Sequence, residues 1–269
     1  MLTVAIDYLD LSIRGVGLSL LVQSGEFLAL QAPLRSLGIN PVALQSQDWL
    51  ALPAFMRKIM HVFSQPRVYR NHLYFRILSC LACIGLGANI GLLWLALLWL
   101  GTLLILIRWR GAFNGGSDFM TLVVLTGLML SACAHALGIS WAARIGLLFI
   151  ALQSASSYFV SGAIKTRQPD WRSGRALAAF LDGGIYGPVP LHHPLRRPHL
   201  ALFASYGFII WELSIVIALF SPTYMLIFCG LGVLFHLGVF WYLGLNRFIF
   251  AWLATYPALY YLSSQLSLR

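Results

Sequence analysis

The chain has 269 residues, of which 59% are hydrophobic and only 10% are charged. Soluble domains carry about a quarter charged residues, so this composition excludes an ordinary soluble fold and predicts an integral membrane protein. The formal net charge is +10. The basic residues lie between apolar segments and form no basic domain, so we expect contact with anionic lipid headgroups and no binding of nucleic acid.

Eight apolar segments predict an all-α polytopic membrane bundle of seven to eight transmembrane helices, forming a single domain over residues 1–269. The run from 73 to 108 is too long for one crossing and is interrupted by glycines and Asn89. We therefore expect a hairpin of two spans there. The approximate spans are 10–30, 73–88, 91–108, 118–137, 140–165, 200–220, 223–243 and 248–262.

The connections predict two surface helices and an orientation. Residues 49–63 have an amphipathic pattern, and residues 171–181 can form a short helix inside the proline-rich loop 166–199. Of the 18 lysines and arginines, all but three fall in connections on one side of the eight-span arrangement; the exceptions are Arg14, Arg144 and Arg269. The positive-inside rule then places those connections in the cytoplasm. The expected location is the inner (plasma) membrane, crossed several times.

A polar stripe follows one face of the predicted span 140–165. Counting back along a helix from Lys165 gives Ser161, Tyr158, Ser154 and Gln153. Lipid offers such groups no hydrogen-bond partner, so we expect the stripe to face protein or an aqueous cavity. Lys165 leads into a turn that contains Trp171.

Three further ionisable residues are candidates for function. Asp118 follows a glycine turn and is either a helix cap or a partner for a loop arginine or a ligand. His236, in mid-span, is either packed and hydrogen-bonded or a proton-handling group, because an imidazole titrates near neutrality in water. Glu212 is either a counter-ion for Arg14 or Lys165 or a carboxylate poised for chemistry by burial.

Two patterns are typical of other chemistry. Cys80 and Cys83 have the spacing of a redox dithiol, but they lie mid-helix, where a free thiol behaves as a small hydrophobe. The cluster His192, His193 and His199 is irregularly spaced among prolines, so we expect a solvated loop and no metal site. No inverted repeat supports a transporter.

The stretch around Lys165 resembles the HTTM family, the transmembrane domain shared by vitamin K-dependent gamma-carboxylase and many bacterial membrane proteins. The residues that match the family pattern are Tyr158, Ser161-Gly162, Lys165, Pro169-Asp170, Trp171 and Gly174. The first span, with Arg14 and Gly17, also resembles the family, as does the region from Phe235-His236 to Pro257. The resemblance covers most of the chain.

The resemblance implies a carboxylase-like lyase or oxidoreductase that uses a quinol or menaquinol as cofactor. In the carboxylase, a lysine of this region is regarded as the base that deprotonates the quinol, so Lys165 would be the catalytic base, with His236 and Glu212 handling protons. The implied pocket for substrate or cofactor contains Gln153, Tyr158, Ser161, Trp171, Arg14 and Asp118. Thr166 departs from the family, because the carboxylase has a second lysine there.

The alternative function is a non-catalytic membrane factor for maturation, export or immunity linked to a secreted peptide. In that case the polar residues only hold the bundle together. The partners would be the lipid bilayer and a secreted peptide or a peptide-modifying enzyme.

Overall fold

The computed structural model describes residues 2–38, 46–109, 116–184 and 187–267. Regular structure in these ranges is entirely helical, and they contain no strand, which confirms the all-α fold class. The chain forms two compact units, residues 1–146 with 250–254 and residues 147–249 with 255–269. The expectation of a single domain stays a prediction.

The helices of the first unit are α1 (Leu2–Ala29), α2 (Gln31–Ser36), α3 (Ala54–Phe63), α4 (Pro66–Leu86), α5 (Leu92–Arg108) and α6 (Gly116–Ala136), with 3-10 turns at Asp48–Ala51 and Gly87–Asn89. The long helix α1 packs against α4, α6 and the short α2, and α5 packs against α6. The close contact of α1 with α4 depends on Gly17. A Cβ there would lie 2.9 Å from the Cβ of Cys83, so a larger residue would push the two helices apart.

The remaining helices are α7 (Ala142–Arg167), α8 (Pro169–Arg172), α9 (Arg175–Asp182), α10 (Pro198–Leu213), α11 (Ile215–Ala218), α12 (Pro222–Leu243), α13 (Arg247–Leu253) and α14 (Tyr256–Ser267). They belong to the second unit, except for the first residues of α7 up to 146 and the part of α13 from 250 onward, which belong to the first. Proline is the first residue of α8, α10 and α12, where its missing N–H costs no helical hydrogen bond.

Four helical segments are long and apolar enough to cross a membrane: α6, α7, α10 with α11, and α12. α5 is a shorter apolar helix. Both expected surface helices form, since α3 covers 54–63 and α8 with α9 covers most of 169–182. The last apolar segment, predicted as one run over 248–262, is divided between α13 and α14. Pro257 explains the break, because a proline in the first turn of α14 cannot continue the hydrogen bonds of α13.

Three arginines expected in solvated connections are buried instead. Arg76, Arg108 and Arg247 are 0%, 6% and 2% exposed, so the assignment of all these basic residues to connections is wrong. Protein partners take the place of water at two of them. Arg76 donates to Gln23 and Thr102, and the Arg108 guanidinium lies 4.0 Å from the centre of the Tyr69 ring.

Candidate functional site

Lys165 and Glu212 form an ion pair in the second unit. Lys165 Nζ lies 2.7 Å from both Oε1 and Oε2 of Glu212, and the two side chains are 13% and 4% exposed. Ser161, one helical turn before Lys165, accepts a hydrogen bond from Nζ at 2.6 Å and donates one to Glu212 Oε1 at 3.0 Å. Of the two cations considered as partners for Glu212, the structure therefore has Lys165.

The sequence around Ser161 explains why α7 can approach Glu212 so closely. Gly162 faces α10, where an added Cβ would lie 2.9 Å from Leu213 Cγ and 3.1 Å from Glu212 Cβ. Its lack of a side chain lets the backbones of α7 and α10 approach each other. Lys165 then reaches Glu212 from one turn farther along the same helix.

Trp171 also contacts the lysine. Its ring centre is 5.1 Å from Lys165 Nζ, within cation–π range. The backbone carbonyl of Trp171 accepts a hydrogen bond of 2.5 Å from Ser205 Oγ of α10. Gly174 follows in a left-handed conformation with φ of +77°, and a Cβ there would lie 2.7 Å from the backbone nitrogen of Leu202. The Trp-x-x-Gly spacing thus packs this turn tightly against α10.

A second group of polar side chains continues the stripe of α7. Tyr158 Oη lies 3.2 Å from His236 Nε2 and 3.2 Å from Tyr256 Oη. One turn earlier, Ser154 donates to Thr255 Oγ1 at 3.0 Å. All five side chains are buried. His236 is therefore packed and hydrogen-bonded, and a role in proton handling stays a prediction.

An apolar cavity of about 620 Å³ adjoins the ion pair. Lys165 and Trp171 form part of its wall, and Lys165 is the charged residue there. The remaining wall comes mainly from aliphatic and aromatic side chains of α9, α10 and α12, together with Leu245 and Phe248. On α12 the wall residues extend from Leu231 to Leu243, which is about 18 Å at 1.5 Å per residue. The cavity is long enough for an extended hydrocarbon chain.

Besides His236, four of the predicted site residues do not share the hydrogen bonds of the ion pair. Tyr158 belongs to the group with His236 described above. Gln153 is exposed and lies outside the cluster, because it is about 120° around α7 from Lys165. Arg14 and Asp118 belong to the first unit and have partners there. Within the second unit, Ser161 and Trp171 are the expected pocket residues that lie beside Lys165 and Glu212. The assignment of Arg14 and Asp118 to the pocket stays a prediction.

Arg14 and Asp10, both on α1, form an ion pair beside the end of α4. Its Nε lies 2.6 Å from Asp10 Oδ2, and its Nη1 donates to the carbonyl oxygen of Ile84. Asp10 Oδ1 accepts a hydrogen bond of 2.8 Å from the backbone nitrogen of Ala88. The pair thus supplies hydrogen-bond partners to backbone groups where α4 ends, which is a structural role.

Asp118 belongs to a buried network of the first unit. Gln23 Nε2 donates to Asp118 Oδ1 at 2.8 Å, and Gln23 Oε1 accepts from Arg76 Nη2 at 2.8 Å. Sequence reasoning missed Arg76 as a member of this network, because its partners come from distant parts of the chain. Tyr256 was missed in the same way.

The other chemistries considered find no further support in the described part of the chain. Cys80 and Cys83 are free thiols buried in α4, and the described residues contain no group of three or more metal-type ligands. His193 accepts a hydrogen bond from the backbone nitrogen of Leu195 and lies 3.3 Å from the hydroxyl of Tyr242.

Comparison with known proteins gives no relative: no family model, no curated protein and no solved structure matches this chain. The resemblance to the HTTM family accordingly stays a prediction from sequence motifs.

Proposed function

We propose that this protein is an HTTM-like enzyme of the inner membrane that binds a quinol, such as menaquinol, in the cavity beside Lys165 and Glu212. The proposal is carried by one observation: an ion pair borders an otherwise apolar cavity of about 620 Å³. In this proposal α1, α4, α5 and the α13–α14 segment join the four long apolar segments to make seven to eight spans.

The residues of the cavity fit a quinol by their chemistry. An isoprenoid tail needs an apolar channel, which α10 and α12 supply, and an aromatic ring can pack against Trp171. A quinol hydroxyl in such surroundings needs a polar partner, because an unpaired hydroxyl is costly in an apolar environment. The wall supplies one at Lys165. When bound, a quinol would bring two reducing equivalents and an acidic hydroxyl.

The ion pair sets a condition on how Lys165 can act as a base. Lys165 Nζ donates hydrogen bonds to both oxygens of Glu212. The ammonium has no lone pair, so the lone pairs that can accept a proton are those of the carboxylate. Lys165 becomes a proton acceptor only after it passes a proton to Glu212. The two residues therefore act as one acid–base unit, and the loss of either one abolishes the proposed proton transfer.

A second candidate is the non-catalytic membrane factor. One observation favours it: the ammonium of Lys165 is surrounded by both oxygens of Glu212, Ser161 Oγ and the Trp171 ring, as expected of a cation that ties α7, α8 and α10 together. In this case the cavity holds a lipid or stays without a reacting ligand.

Binding can be tested with a matched pair of glycine variants on α12. Gly238 lines the cavity, Gly230 does not, and a Cβ added at either position meets no atom within 4 Å. We expect Gly238→Leu to weaken binding of menaquinol-2 to the purified full-length protein by about fivefold or more, because overpacking costs about 1–3 kcal/mol. Gly230→Leu should bind as the wild type does. Equal affinity in both variants would remove the cavity as the binding site.

Catalysis is tested separately with Lys165→Arg, which keeps the positive charge but cannot serve as a base. The measurement is oxygen consumption by proteoliposomes supplied with menaquinol-2, with protein-free liposomes as the blank. The enzyme hypothesis expects protein-dependent consumption that Lys165→Arg and Glu212→Gln both abolish. Full activity in Lys165→Arg contradicts a base at this position, and no consumption in the wild type favours the non-catalytic factor.

A further inference from the structure

The first unit carries an apolar strip that its own core leaves uncovered. On α3, Met60 and Phe63 point inward and pack with Trp49 and Phe27. The apolar arc of the helix is wider than this core, and the rest of it consists of Phe55, Ile59 and Val62, which are 65%, 45% and 56% exposed. An amphipathic helix with an uncovered apolar strip is typical of a helix that lies in the membrane interface.

Beside this strip lies an apolar groove of about 420 Å³ where three helices meet. Ile59, Val62 and Phe63 of α3 line it, together with Val68 of α4 and Leu104 of α5. Lys58 provides the one charged residue of its lining. The groove is thus an open apolar surface with one cation in its lining.

The position of the groove along the helices indicates its depth in a bilayer. Val68 is in the first turn of α4, which begins at Pro66, and Leu104 is in the last turn and a half of α5, which ends at Arg108. If these two helices span, the groove lies at their common end, where acyl chains meet lipid headgroups.

The charge of the surrounding segment selects the headgroup. Between residues 46 and 70 the basic side chains are Arg57, Lys58, Arg67 and Arg70, and Asp48 is the acidic one. Lys58 is exposed, and within the part of the chain that the structure describes it makes no ion pair. An exposed cation in a basic segment attracts anionic lipid, by an interaction that is lost when the charge is removed.

We propose that this groove binds an anionic phospholipid, with one acyl chain between α3, α4 and α5 and the phosphate held by Lys58. This lipid site is independent of the cavity beside Lys165. An apolar groove fits an acyl chain, and the cation in its lining selects an anionic headgroup over a zwitterionic one.

The test is native mass spectrometry of the full-length protein released from nanodiscs that contain equal amounts of phosphatidylglycerol and phosphatidylcholine. The wild type should retain phosphatidylglycerol in preference to phosphatidylcholine. Lys58→Gln should lower the retained phosphatidylglycerol by more than the roughly fivefold loss expected for any one cation near the headgroups, because it also removes the direct contact with the phosphate. Val68→Phe, which narrows the groove and leaves every charge in place, should also lower it.

Arg67→Gln is the matched control, because Arg67 is an exposed cation of the same segment that does not line the groove. It should reduce retention less than Lys58→Gln does. Equal losses in the two charge variants would show diffuse attraction and overturn the site, as would full retention in Val68→Phe. If the wild type is a dimer that Val68→Phe dissociates, the groove binds a second copy of the chain, and the lipid site is overturned. The thermal unfolding midpoint in detergent checks that each variant is folded.

Discussion

Both units bury charged side chains, but they use them differently. In the first unit Arg76 and Asp118 are both bound by Gln23, and these three side chains are 3% exposed or less. In the second unit Lys165 is paired just as closely but forms part of a cavity wall. Burial and pairing alone therefore do not mark a functional residue. The contrast lies in what else the charged group faces.

The first unit shows how a motif that looks functional can be structural. Arg14 and Asp10 supply hydrogen-bond partners to the backbone near the end of α4, and Gly17 allows α1 to approach that helix. Arg14 and Gly17 are also the residues on which the predicted resemblance of the first span to the HTTM family rests. Their spacing can be explained by helix packing, without a ligand. In the second unit, Gly162 and Gly174 also serve packing, but they position Lys165 and Trp171 beside a cavity.

The largest expected effect on stability is in the first unit. Asp118→Ala removes a negative charge from a buried network that includes Arg76, and such losses cost about 3–5 kcal/mol. We expect this decrease in the free energy of unfolding, measured by titration with dodecyl sulfate in mixed micelles. Asp118→Asn, which keeps an acceptor oxygen for Gln23, should cost less. If Asp118→Ala unfolds as the wild type does, the network contributes no stability, and the comparison between the units fails.

The ion pair of the second unit should respond in a coupled manner. Lys165→Met and Glu212→Leu each leave one partner without its counter-charge, and we expect a loss of about 3 kcal/mol, the lower end of the range for buried pairs, since Lys165 borders a cavity. Lys165→Met combined with Glu212→Leu should recover most of that loss. A double-mutant cycle in the same titration measures the coupling. Strictly additive losses would mean that the pair is not an energetic unit.

A smaller effect is expected where α4 ends. Gly87 has φ of +53°, and a Cβ there would lie 1.7 Å from Asp10 Oδ1, so Gly87→Ala must strain the backbone and displace the carboxylate. We expect a loss of about 2 kcal/mol, since this sparsely populated backbone conformation, with ψ of −127°, costs a non-glycine residue about 1–3 kcal/mol and a hydrogen bond is lost. Gly85→Ala is the control, because a Cβ at Gly85 meets no atom within 4 Å. Equal stability of the two variants would contradict the structural role assigned to Asp10 and Arg14.

The helices were largely predictable because their signal is local. The predicted segments 91–108, 118–137 and 223–243 agree closely with Leu92–Arg108, Gly116–Ala136 and Pro222–Leu243. An apolar run bounded by glycine, proline or charge is visible in any single stretch of sequence. The number of spans and the orientation remain predictions.

The partners of the polar residues could not be predicted in the same way. Glu212 lies 47 positions from Lys165, and Tyr256 lies 98 positions from Tyr158. No periodicity within one helix identifies such pairs, because they depend on how separate helices pack. Arg76 was wrongly assigned to a connection because it is charged. Its position inside a long apolar segment was the better indication that it is buried. Gln153 was misplaced by one position on the helical face, which is enough to turn a side chain by about 100°.

The smallest expected effect on stability is that of a substitution at Gly238, which lines the cavity. This substitution tests most directly the cavity that distinguishes the second unit from the first. Gly238 lies inside α12, and glycine in a helix interior costs about 0.5–1 kcal/mol relative to alanine. An added Cβ there meets no atom within 4 Å, so Gly238→Ala should raise the free energy of unfolding by about that amount, and Gly230→Ala should do the same. A stabilised protein that binds menaquinol-2 less well only when Gly238 is changed would show that this cavity is kept open at a cost in stability. A destabilised Gly238→Ala protein would mean instead that α12 packs more tightly at Gly238 than the open space around its Cβ position indicates, and the cavity would lose its place as the feature that distinguishes the second unit.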